Sequence, residues 1–136
     1  MAGVLAGSIE MQMLCWAAVL GLAQLVIATT LATLDQGLPY NLSPRDAAPP
    51  SVKPVTARLL RAFGNFKETF VFFAVAVILV VVQAKTSATS ALGAEIYLAA
   101  RVIYVPIYAV GVPGLRTVVW AASVVGIVMV LTAAMA

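Results

Sequence analysis

Four uninterrupted apolar runs occupy most of the chain: roughly Ile9–Leu34, Thr56–Ala84, Ala91–Val112 and Leu115–Met135. Each is long enough to cross a hydrocarbon layer, for which a helix needs about 20 mostly apolar residues. Backbone polar groups find no water in a bilayer, so only helices or closed barrels span it. The runs are continuous rather than alternating and each exceeds the length of a barrel strand, so helices are expected. Composition agrees: 63% of the 136 residues are hydrophobic and 10% charged. A soluble domain of this size keeps too much of its surface wet to hide that much apolar area. The expected fold class is an all-α membrane protein, an up-down four-transmembrane-helix bundle in one domain over residues 1–136.

The stretch Asp35–Val55 separates the first two spans and holds five of the seven prolines, Pro39, Pro44, Pro49, Pro50 and Pro54. Proline fixes φ and removes a donor, so an extended, turn-rich surface linker is expected over 35–55, and it is a candidate lid over a pocket mouth. The remaining loops are short, which makes neighbouring helices antiparallel. Arg45, Lys53, Arg58 and Arg61 lie in or beside the linker, and Arg116 follows the third loop. Loops rich in Arg and Lys stay in the cytoplasm, which puts the linker there and both termini outside. The N-terminal end has no basic n-region and its apolar run is too long for a signal peptide, so it is read as the first span.

Some functions drop out early. The net charge of +3 is scattered, and no basic run points to nucleic acid. Histidine is absent and Cys15 stands alone, which removes an intrachain disulfide and a Cys/His metal site. Cys15 is read as a packing residue.

The second span begins with an unusual density of polar residues. Arg58, Arg61, Asn65 and Glu68 fall within about 80° of one another at 100° per residue, whereas Lys67 points away and can snorkel to the headgroups. The third span carries a matching stripe: Tyr97, Arg101, Tyr104 and Tyr108 lie within about 60°. Glu68 is about 18 Å from the linker end of its span, and Arg101 about 16 Å from the same end of its own, at 1.5 Å per residue. An ionised group at such depth costs at least about 2.5–3.5 kcal/mol, so a Glu68–Arg101 contact is expected as the floor of a polar pocket. Arg61, Asn65, Tyr104, Tyr108 and Arg116 would sit above it. Structural readings stand beside this one. Arg58 can be an interfacial anchor, Tyr108 an aromatic-belt residue, and Glu68 with Arg101 a structural ion pair. The structural readings leave four arginines facing one carboxylate. That surplus predicts an anionic ligand. Pro106 is expected to kink the third span, Gln24 to hydrogen-bond across helices, and the fourth span after Arg116 to serve as a packing wall.

These residues carry a resemblance. "RAFGNFKETF" contains Arg61-Ala62-x-x-Asn65-x-x-Glu68, and "ARVIYVPIYAVGVPGLRTVVW" contains Arg101, Tyr104, Tyr108 and Arg116. Together they resemble the MAPEG family, membrane-associated proteins in eicosanoid and glutathione metabolism, in a form similar to its bacterial members. The resemblance implies a homotrimer in a bacterial inner membrane, with glutathione bound between subunits. It implies that Arg61, Asn65, Glu68, Arg101, Tyr104 and Tyr108 bind the cofactor, and that Arg116 stabilises its thiolate as the catalytic residue. A lipophilic electrophile or hydroperoxide from the bilayer would be the second substrate, in a transferase or peroxidase reaction. Departures are Asp35 and Gln36 where basic residues are common, Thr69 in place of Tyr, and Tyr104 where some relatives have His. A non-catalytic binding or assembly protein is the alternative. A small transporter or channel subunit fits less well, because arginines crowd the one pocket-facing carboxylate.

Overall fold

The structure is a computed structural model and describes residues 7–136. Residues 1–6, and with them part of the reading of the N-terminal end, lie outside the described residues. The described residues form helices and no strand: α1 (Ile9–Gln36), α2 (Leu38–Leu42), α3 (Pro54–Val82), α4 (Ala88–Val110) and α5 (Leu115–Met135). All but α2 are long and apolar enough to cross a membrane. At 1.5 Å per residue they span about 32–44 Å, against a hydrocarbon core of about 30 Å. Their ends therefore reach the headgroup region, where the polar residues of α3 begin.

Local signals explain the boundaries. Ser8 caps α1 by accepting from the Met11 N–H at 3.2 Å. Ser87 and Ser90 form a reciprocal capping box at the start of α4, so this helix begins earlier than hydropathy places it. Pro54 lies in the first turn of α3, where a missing N–H costs nothing. The linker differs from the extended segment expected. α1 continues to Gln36, Gly37 breaks the helix with φ +90°, and Pro39 opens the short helix α2. A proline in a first helical turn favours a helix, which a simple count of prolines conceals. The irregular remainder is tied back onto α1. The Lys53 N–H donates to Asp35 Oδ2 at 3.0 Å, and Gln36 Nε2 donates to the Pro50 carbonyl at 3.1 Å. α4 stays helical through Pro106.

The helices form an antiparallel array in which α3 and α4 are central and α1 and α5 flank them. The α4–α5 interface is the most extensive, because two glycines face each other there. A Cβ on Gly126 would stand 2.5 Å from the Gly93 carbonyl oxygen, and one on Gly93 would stand 2.7 Å from that of Gly126. Small residues give helices in lipid this close approach, since lipid tails supply no hydrophobic drive between them. The core joins Ala17 of α1, Phe73, Val77 and Val80 of α3, Ala94 and Tyr97 of α4, and Ile127 and Val130 of α5.

Three details revise sequence expectations. Tyr97 belongs to the polar stripe by spacing but is wholly buried. It stacks on Phe73 with ring centroids 4.0 Å apart and shares a hydrogen bond with Thr69 Oγ1 at 3.1 Å. On α1 the buried positions are Glu10, Ala17, Gln24 and Ala28, a stripe of near-heptad spacing. Cys15 falls outside that stripe and is exposed on the outer face rather than packed. Gln24 is buried, yet neither its Nε2 nor its Oε1 has a partner among the described residues, so the expected interhelical bond is not formed.

Candidate functional site

At the linker end of the bundle, α3, α4 and α5 enclose a cavity of about 530 Å³. Arg61, Asn65 and Glu68 reach it from α3, Tyr104 and Tyr108 from α4, and Arg116 from α5. The volume lies within the range typical of small-molecule sites. The 3-4-3 spacing on α3 and the 3-4 spacing on α4 turn both stripes toward this corner.

Tyr108 sits between two cations. Arg61 Nε donates to its hydroxyl at 3.2 Å, and the Arg116 Cζ lies 4.8 Å from its ring centroid. Tyr104 packs beside it with centroids 5.5 Å apart, and the Arg101 Cζ lies 4.4 Å from the Tyr104 centroid. Guanidinium groups stack on aromatic faces and keep their in-plane N–H donors free for other partners. The tyrosines thus hold Arg61 and Arg116 in place without neutralising them.

Arg101 does not line the cavity. Its side chain is 1% exposed and lies behind the lining, where Nη1 donates to Asn65 Oδ1 at 2.8 Å. The expected Glu68–Arg101 ion pair is absent among the described residues. Asn65, one turn nearer the linker, takes the guanidinium instead, and Glu68 is left exposed on the open side of the cavity. Equal depth along two helices did not guarantee contact, because Asn65 points at α4 whereas Glu68 points along the α3–α5 face. Arg101 Nε has no hydrogen-bond partner among the described residues.

Arg58, for which an anchoring role was open, donates from Nη1 to the Ala109 carbonyl at 3.2 Å. There it meets the negative end of the α4 dipole. It also lines a smaller cavity of about 210 Å³ with Arg61, Tyr108 and Arg116. Lys67 points away, with Nζ 4.9 Å from the Phe63 ring. The linker contributes no residue to the main cavity.

Sequence reasoning missed two lining residues on α5, which is more than a packing wall. Thr117 and Trp120 both face the cavity. The signal for Trp120 was its position four residues after Arg116, one turn along the same face. Below Glu68 and Trp120 the opening continues into an apolar groove of about 560 Å³, lined among others by Val71, Phe72, Val75, Val124 and Leu131. Polar cavity and apolar groove share Glu68 and Trp120 as their border.

Fold and site together define a class: an integral membrane helical bundle with an arginine- and tyrosine-lined cavity opening near the membrane surface. The chain belongs to the MAPEG family, whose model matches residues 13–136. Comparison with curated proteins finds no match.

Proposed function

We propose that the cavity binds glutathione or a similar anionic thiol and presents it to lipophilic electrophiles or hydroperoxides from the bilayer. The observation that carries this reading is the charge on the lining. Arg61 and Arg116 face a single carboxylate, Glu68, and both guanidinium groups are held by Tyr108 rather than by acids. A tripeptide with two carboxylates and an amine complements that set: its carboxylates on Arg61 and Asn65, its amine on Glu68. Tyr104 and Tyr108 offer hydroxyls to the peptide groups, and Arg101 holds Asn65 in position. Arg116 is the remaining cation and faces the thiol.

The chemistry is modest. A free thiol has a pKa near 8.5 and is mostly protonated at neutral pH. A neighbouring guanidinium favours the thiolate and lowers that value by about 1–3 units. The thiolate then attacks the electrophilic carbon of an apolar substrate, forming a C–S bond as the leaving group departs or the adjacent π bond opens. With a hydroperoxide it attacks the distal oxygen instead, breaking the O–O bond. The sulfenic acid formed condenses with a second thiol, giving a disulfide and water, while the substrate leaves as an alcohol. The apolar groove below Glu68 and Trp120 supplies the approach from lipid.

Assembly as a homotrimer belongs to the same proposal. Glu68 and Arg116 are exposed on the α3–α5 face of one chain, where lipid would meet ionised groups. A neighbouring copy covers that face and closes the site between subunits. The linker end then faces the cytoplasm, the source of soluble thiol. This is the orientation that the basic residues favour.

Calorimetry with glutathione in detergent, alongside ultraviolet absorbance of the bound thiolate, tests the reading. Saturable binding is expected, with thiolate absorbance persisting below the pH at which free thiol protonates. Arg116→Ala should remove the absorbance. Absence of both signals in the wild-type protein would sink the proposal. A non-catalytic binding role is the second reading, favoured by one observation: Thr69 is spent on Tyr97 in the core and offers no hydroxyl to the cavity. Thiolate formation without conjugation across a panel of electrophiles would select it.

A further inference from the structure

Three buried side-chain atoms have no hydrogen-bond partner among the described residues: Gln24 Nε2, Gln24 Oε1 and Arg101 Nε. Buried polar atoms in native proteins are nearly always paired, with protein or with ordered water. Leaving them unpaired inside a bundle costs the full desolvation of each group.

The three atoms lie in one neighbourhood. α1 and α4 run in the same direction, and the bond from the Ser90 hydroxyl to Glu10 sets their register at the end away from the linker. Gln24 stands about 21 Å beyond Glu10 along α1, and Arg101 about 16 Å beyond Ser90 along α4. Side chains tilt toward the N-terminus of their helix, which carries the Gln24 carboxamide back toward the level of Arg101. The guanidinium reaches the other way: its Cζ is 4.4 Å from the ring centroid of Tyr104, one turn nearer the linker. Phe66 touches both sides of this neighbourhood. A Cβ on Gly21, one turn before Gln24, would stand 2.7 Å from Phe66 Cε1, and the Arg101 Cζ lies 5.7 Å from the Phe66 centroid.

No hydrogen bond joins Gln24 to Arg101 directly. A buried water makes about three bonds to polar groups that lack other partners. Here it would accept from the Arg101 Nε–H and donate to Gln24 Oε1. We propose that an internal water links Gln24 to Arg101, and that Gln24 is thereby a positioning residue of the thiol site. The linkage continues to the cavity. Arg101 Nη1 donates to Asn65 Oδ1 at 2.8 Å, which fixes the carboxamide and leaves Nδ2 as the donor available to a ligand carboxylate. A guanidinium held at Nε as well as Nη1 cannot swing away from Asn65. Gln24 and Arg101 are 7% and 1% exposed within a single chain, so a neighbouring copy does not change their surroundings. The positioning role rests on the thiol reading of the cavity, whereas the water does not.

The test uses the full chain in detergent micelles with isotope-labelled arginine, followed by nuclear magnetic resonance. Arg101→Lys identifies the Arg101 Nε–H signal by its loss. A nuclear Overhauser cross-peak from that proton to water is expected in the wild-type protein. Gln24→Met has similar bulk and no acceptor, so it should remove the cross-peak. It should also weaken glutathione binding about fivefold, the scale of one ordinary hydrogen bond. The pH profile of thiolate absorbance at saturation should hold, because Arg116 is untouched. Gln24→Glu keeps the acceptor, so it should shift the Arg101 signal while preserving the cross-peak and the affinity. No water cross-peak in the wild-type protein, a cross-peak or an affinity unchanged in Gln24→Met, or an unmoved Arg101 signal in Gln24→Glu would overturn the proposal. If the wild-type protein binds no glutathione, the thiol reading and the positioning role fall together, and the cross-peak by itself decides the water.

Discussion

Replacing Asn65 by leucine removes the one oxygen that accepts from Arg101. The guanidinium is buried, and its Nε already lacks a partner among the described residues, so the variant leaves a desolvated cation with no hydrogen-bond acceptor among them. A hydrogen bond to a charged group contributes about 1.5–3 kcal/mol. Breaking a buried ion pair costs more, about 3–5 kcal/mol, but here the lost partner is neutral. The ring faces of Tyr104 and Phe66, with centroids 4.4 Å and 5.7 Å from Arg101 Cζ, remain in the variant and still stabilise the cation. The expected loss is therefore about 2 kcal/mol, a factor of about thirty in the folded-to-unfolded ratio. Reversible unfolding in mixed micelles, followed by circular dichroism, measures it. Asn65→Asp separates stability from ligand binding. The aspartate keeps an acceptor for Arg101 and should preserve or raise stability, yet it adds a negative charge to the lining and should weaken glutathione binding. Asn65→Leu unfolding within about 0.5 kcal/mol of wild type would refute the account of Arg101, since surface-like substitutions fall in that range.

Gly126→Ala puts a methyl against the Gly93 carbonyl and should destabilise the protein by about 1–3 kcal/mol, the usual range for overpacking; an unchanged melting temperature would contradict the close α4–α5 crossing. Tyr97→Phe removes the hydroxyl shared with Thr69 but keeps the stack on Phe73, so unfolding should shift by about 0.5–1.5 kcal/mol with glutathione binding intact. Loss of binding would place Tyr97 in the site instead of the core. Glu10, buried near the far end of α1, hydrogen-bonds to the Ser90 hydroxyl in the first turn of α4. Glu10→Gln retains an acceptor and should be tolerated, whereas Glu10→Ala should destabilise by about 0.5–1.5 kcal/mol by removing the α1–α4 hydrogen bond, while the Ser90 hydroxyl keeps the Ser87 carbonyl at 3.0 Å as an acceptor. Equal melting temperatures for the two variants would remove that role.

The sequence alone determined the membrane bundle. Backbone hydrogen bonding in lipid leaves few choices, and four apolar runs with short loops have few ways to pack. It also determined which faces of α3 and α4 are polar, because helical periodicity is a local property. Pairing was decided only by tertiary structure. Glu68 and Arg101 match in depth, but packing of α3 on α4 aims Asn65 at the guanidinium and turns Glu68 toward α5. Tyr97 shares a stripe with Tyr104 and Tyr108 yet is sealed in the core, because α4 is clasped by α5 through Gly93 and Gly126 at that level. The short helix α2 was hidden for a related reason: it lies in a proline-rich segment, after a break at Gly37 with φ +90°. Periodicity follows from one helix at a time. Contact depends on the rotation and approach of two, which side-chain volumes at the interface set.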